Sequence, residues 1–177
     1  MLSQIYNWKR FWCPRGATIN LSDGGYLYDP DSQWGRIYNP EVKPFETISE
    51  TPCLALLGEP GIGKTRTIEA EREGAETRIK QEGDDILWLD LRSYGSEDRL
   101  VRNLFASEKF LAWIRGSHRL HVFLDSLDEG LLRIDTLAAL LADEFKRYPV
   151  ECLSLRIACR TAEWPSSLET ELQQSRV

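Results

Sequence analysis

From Cys53 onward the apolar residues fall into two alternating rhythms. Short unbroken apolar runs at Cys53 to Leu57, Ile86 to Leu91, Val122 to Leu124 and Leu153 to Ala158 have the length and flanks of strands buried on both faces of a parallel sheet. Between them the pattern lengthens. Lys64 to roughly Gln81 contains no proline and puts Ile68, Ala75 and Ile79 on one narrow face of an otherwise charged helix. Ser96 to Phe105 and Ser107 to Arg115 predict one or two further helices, with Ser107 placed to cap the second. Asp135 opens a helix in which Leu137, Ala138, Leu141, Phe145 and Tyr148 recur at helical spacing until Pro149 stops it. Strand and helix alternate throughout. Right-handed crossovers then make a three-layer α/β domain, a mainly parallel sheet flanked by helices, the expected architecture.

Residues 1–50 have a different texture. Pro14, Pro30, Pro40 and Pro44, with Gly16, Gly24 and Gly25, punctuate short segments such as Ala17 to Leu21 and Tyr26 to Tyr28, a pattern of turns and brief strands. The aromatics Tyr6, Trp8, Phe11, Trp12, Tyr26, Tyr28, Trp34, Tyr38 and Phe45 are too many for a flexible tail. An irregular, aromatic-rich segment packing on a domain that spans 51–177 is the expectation. Aromatic packing is preferred to a ligand-stacking role.

Composition narrows the function classes. At 177 residues the chain has the size of one ordinary domain with appendages. A net charge of -6 and a pI near 5.1 repel phosphate backbones on average, so nonspecific nucleic-acid binding has no support beyond a local basic patch. Met1 to Trp12 lacks the apolar run of a signal peptide, and no stretch is apolar for the length of a membrane span, which points to the cytoplasm and away from a membrane. Cys13, Cys53, Cys152 and Cys159 form no CxxC pair and stand apart from His118 and His121, which argues for reduced core or half-exposed thiols rather than zinc ligands.

The chemistry concentrates at three strand ends. Gly58-Glu59-Pro60-Gly61-Ile62-Gly63-Lys64-Thr65, followed by Arg66, satisfies GxxxxGK[ST] between an expected strand and an expected helix, the context a P-loop requires. Glycines let the backbone approach phosphate with successive N–H groups turned inward, and the helix start adds partial positive charge. Lys64 is expected on the outer phosphates and the Thr65 hydroxyl on Mg2+. The second strand end is Asp125, in the Walker B position, able to hold the magnesium directly or through water. Small Ser126 follows it, and the next acids are Asp128 and Glu129, either of which serves as general base only where the turn curls back toward the terminal phosphate; Glu129 is preferred, against the plainer reading of a solvated acidic loop. The third is Arg160, able to reach the terminal phosphate or a Walker B carboxylate, or to form an ordinary surface ion pair.

A small residue after the magnesium aspartate and then two acids resembles the NACHT group of STAND ATPases, and Arg160 resembles their sensor arginine. The similarity runs from Cys53 to about Pro165 and takes in the strand end Asp90-Leu91-Arg92. It implies an ATP- and Mg2+-dependent switch with slow hydrolysis, in bacteria one of conflict or antiphage defence, that partners either copies of itself or further C-terminal domains. Such proteins continue into helical and winged-helix regions, whereas Ser166 to Val177 is too short for either, so a fragment or a chain completed by another is expected. A free-standing ATPase or kinase is the alternative, though no arginine-rich lid segment stands out, and a nucleotide-holding scaffold or remnant is a third. Adenine is the default over guanine because no NKxD tetrapeptide occurs.

Overall fold

The computed structural model describes residues 10–22, 24–148 and 152–174, with the side chains of 78–82 left aside. The packing expected of Tyr6, Trp8 and Ile79 and the stop at Pro149 lie outside that description. The chain divides into two compact units, Met1–Glu50 and Thr51–Val177.

In the first unit, β1 (Phe11–Trp12) pairs antiparallel with β2 (Lys43–Pro44), and an isolated bridge joins Leu21 to Leu27. Between them lies α1 (Gln33–Tyr38), which the turn-rich sequence does not announce. Its start is set by Ser32, whose Oγ accepts from Gly35 N at 3.0 Å. Asn39, 2% exposed, closes the unit by accepting from Asn20 N at 2.7 Å and donating to Asn20 O at 2.9 Å. The short α2 (Phe45–Ile48) follows. Tyr38 stacks on Tyr28 and on Trp34 within the unit, and Trp34 and Tyr38 are exposed.

In the second unit, β3 (Cys53–Leu57), β4 (Asp85–Asp90), β5 (Leu120–Asp125) and β6 (Leu153–Cys159) form one parallel sheet in the order β3-β6-β5-β4. The four apolar runs are the four strands, each displaced by no more than two residues at an end. Leu91 moves out of β4 into a 3-10 turn, Leu91–Ser93, because Asp90 caps that turn by accepting from Arg92 N. The helices are α3 (Lys64–Glu82), α4 (Glu97–Asn103), α5 (Glu108–Arg115), α6 (Leu127–Leu131), α7 (Leu137–Phe145) and α8 (Ser166–Gln174). Ser107 caps α5 through its Oγ, as its position predicts.

Pleating separates the sheet's two sides. Leu87, Leu89, Val122, Leu124, Leu155 and Ile157 share the core with Leu100, Phe110, Leu137, Leu141 and Leu168 from the helices that follow β4. Trp88 and Phe123 point the other way, toward α3, where Arg72 lies over the Trp88 ring at 5.0 Å. Helices therefore cover both faces, and every residue of β5 and β6 is buried. Among the described residues no helix is long and apolar enough to cross a membrane.

Candidate functional site

Parallel strands bring their C-terminal ends to one edge, where α/β sheets place ligands. Here that edge presents, in sheet order, the Gly58 loop after β3, Arg160 after β6, Asp125 at the end of β5 and Asp90 at the end of β4. The strand carrying Arg160 is thus inserted between the glycine-rich loop and Asp125. The loop must reach across it, and does so at the start of α3: Thr65 Oγ1 donates to Asp125 Oδ1 at 3.1 Å. Two residues far apart in sequence, each expected to hold the same cation, are in direct contact.

The loop has the backbone its glycines allow. Gly61 and Gly63 sit at φ +82° and +97°, in the left-handed region that side chains resist. A Cβ on Gly58 would meet Ile62 Cδ1, the end of a half-exposed side chain that would have to shift aside. Lys64 Nζ donates to Gly58 O at 2.6 Å and Glu59 O at 3.0 Å, an ammonium held by carbonyls and, among the described residues, by no carboxylate. The first turn of α3 contains no acid of its own, and the carboxylate that meets its positive end is Asp125.

A cavity of about 170 Å³ lies against these groups. Of the residues expected at the site, Pro60, Gly61, Lys64, Thr65, Asp125, Asp128, Glu129 and Arg160 line it. Gly58, Glu59, Ile62, Gly63 and Arg66 do not; Arg66 is exposed and pairs with Glu69 at 3.4 Å. Arg92, Ser126 and Ala158 line it as well; the first two stand in segments that carry the resemblance, but the sequence assigned none of the three a place at the site.

Charge pairing assigns different duties to the acids. Asp128 is buried on α6 and spends both oxygens on one residue, Oδ2 accepting from Arg160 Nε at 2.8 Å and Oδ1 from Arg160 N at 3.2 Å. A carboxylate of the segment after Asp125 was one of the partners expected of Arg160, and the two are paired here. Glu129, by contrast, has no side-chain hydrogen bond among the described residues and lines the cavity. The chain reaches this arrangement through Ser126, whose φ of 58° and ψ of 48° turn it sharply from β5 into α6. A short helix, not a solvated loop, holds the two acids.

Asp125, 1% exposed, has its pKa raised by burial, opposed by the Thr65 hydroxyl and the Ser126 N–H. Such a carboxylate gains from a cation that neutralises it. Asp90 is shifted the opposite way by hydrogen bonds from Arg92, whose Nε and Nη2 grip both its oxygens at 2.8–3.1 Å. At the end of β6 the Cys159 thiol is pushed up to about 12, first by burial and then by the Asp128 charge, so it is no nucleophile at neutral pH. All four cysteines are free.

No protein-family model matches this chain, and no curated protein matches it significantly.

Proposed function

We propose that the unit Thr51–Val177 binds ATP with Mg2+ and hydrolyses it slowly, serving as a nucleotide-dependent switch of the STAND type. The contact between Thr65 and Asp125 carries this reading: a hydroxyl opening a helix and a buried carboxylate ending a strand meet beside a glycine-rich loop with a lysine, the donor set that Mg2+ on a triphosphate requires. The residues fit the group. Gly61 and Gly63 hold the left-handed backbone that lets N–H groups turn toward phosphate, the start of α3 supplies partial positive charge, and Lys64 exchanges two carbonyl partners for phosphate oxygens, a stronger charge-assisted bond. Mg2+ held by Thr65 and Asp125 would draw charge from the outer phosphates. Glu129, whose side chain makes no hydrogen bond among the described residues, orients and deprotonates the attacking water, and Asp128 positions Arg160. Hydrolysis then changes what the site holds and so the relative stability of two conformations.

Titration calorimetry with Mg-ATP tests the reading. Lys64→Ala should weaken binding roughly tenfold to a hundredfold, the worth of a charge-assisted hydrogen bond at about 1.5–3 kcal/mol. Glu129→Gln should keep wild-type affinity and lose turnover. No heat and no thermal shift at millimolar Mg-ATP would overturn the proposal. Wild-type turnover above about one per second would replace the switch by an ordinary ATPase.

A further inference from the structure

The cavity has three cations around it, and the structure secures them unequally. Arg160 is fixed at two points, its Nε and its backbone N–H, by a carboxylate whose side chain is only 9% exposed. Moving its guanidinium away would leave Asp128 buried and short of a partner, a costly state. Lys64 is held by carbonyls of its own loop. Arg92 differs from both. It stands two residues beyond the end of β4, at the edge where Asp90 lies in register with Asp125, and its side chain lines the same cavity as Lys64 and Glu129. Its partner is Asp90, and the pair is open to water at both ends, 50% exposed for Arg92 and 34% for Asp90. An exposed ion pair contributes little and exchanges readily, because water solvates each partner when they separate. The planar fork that grips Asp90 through Nε and Nη2 is equally suited to two phosphate oxygens.

Resting on the reading of the site as a triphosphate site, we infer that Arg92, rather than Arg160, is the arginine that engages the terminal phosphate, exchanging Asp90 for phosphate oxygens and so discriminating triphosphate from diphosphate. Asp90 is then a competing anion that parks the guanidinium beside the cavity between turnovers. Because the arginine comes from the chain's own second strand of the sheet, terminal-phosphate recognition requires none from a partner.

The experiment measures the dissociation constants of Mg-ATP and Mg-ADP for the whole chain and takes their ratio. Arg92→Ala and Arg92→Gln should leave Mg-ADP affinity unchanged and reduce the preference for Mg-ATP about tenfold, the loss of one charge-assisted bond. Asp90→Asn keeps the oxygen that caps the following turn and removes the competing charge, so it should raise the Mg-ATP preference above wild type, an effect a purely structural role for the pair does not produce. Arg160→Ala should lower the affinities for both nucleotides together or neither. An unchanged ratio in both Arg92 variants, or a preference lost in Arg160→Ala alone, overturns the inference and leaves the triphosphate site standing. Failure of the wild type to bind Mg-ATP overturns both.

Discussion

Asp125 shows how the site works against the stability of the protein that carries it. Burial raises its pKa, so the folded carboxyl keeps its proton to higher pH than the unfolded one. Its contribution to stability is complete below the unfolded value of 3.8 and is lost as pH rises through the folded value, leaving a buried charge at neutral pH. Asp125→Asn should therefore raise the ligand-free melting temperature at pH 7 while removing the magnesium-dependent part of nucleotide stabilisation, both read from thermal melts with and without Mg2+. His121 acts with the opposite sign at the start of β5. Burial lowers its pKa, Asp84 at 3.6 Å opposes the shift, and Arg119 and Arg156 reinforce it. The unfolded chain takes up this proton near 6.5 and the folded chain only at lower pH, so stability should fall as pH drops through that window. Urea midpoints between pH 7 and 5 measure the slope, and His121→Gln should flatten it. Lys64, Thr65 and Asp125 were legible because their chemistry depends on residue type at fixed spacing. Arg92 entered only as part of the strand end Asp90-Leu91-Arg92, without a role, since an arginine past a strand is ordinary until the fold brings it to the cavity.

Among the elements, α6 separates what periodicity reveals from what it hides. The strands and the long helices announce themselves through apolar repeats, but α6 has five residues, too few for a repeat. Its entry depends on Ser126 in the left-handed region, where serine has no particular advantage, with a cost of about 1–2 kcal/mol for an L-residue. Burial of Leu127 and the tie from Asp128 to Arg160 offset that cost. Ser126→Gly should fold with near wild-type stability, relief of strain balancing added chain entropy. Ser126→Val should lose more than about 1 kcal/mol in urea denaturation and displace Glu129, with turnover falling further than Mg-ATP affinity. The same logic explains α1, whose cap at Ser32 is ordinary turn chemistry until the turns around it are set.

At the scale of the molecule, the two compact units meet at Glu50, Thr51 and Pro52, all exposed. A glutamate-specific protease should cut after Glu50, and the product beginning at Thr51 should retain the Mg-ATP-dependent rise in melting temperature, since every residue of the proposed site lies within it. Bound nucleotide at about a hundred times its dissociation constant should add about 2.7 kcal/mol to that unit. A product that melts at one temperature with and without nucleotide would show that residues before Thr51 are needed. The sequence by itself determined the alternation of strands and helices, the glycine-rich loop and the carboxylate at the end of β5, because each is local: a run of apolar residues, a spacing of glycines, an acid after a strand. Only the tertiary structure decided the order β3-β6-β5-β4, which sets Arg160 between the loop and Asp125, and the partners of each charge. Asp128 and Glu129 are adjacent acids in the sequence and both line the cavity, yet one is spent on Arg160 and the other has no side-chain hydrogen bond among the described residues, a distinction made by contacts between residues brought together from different strands.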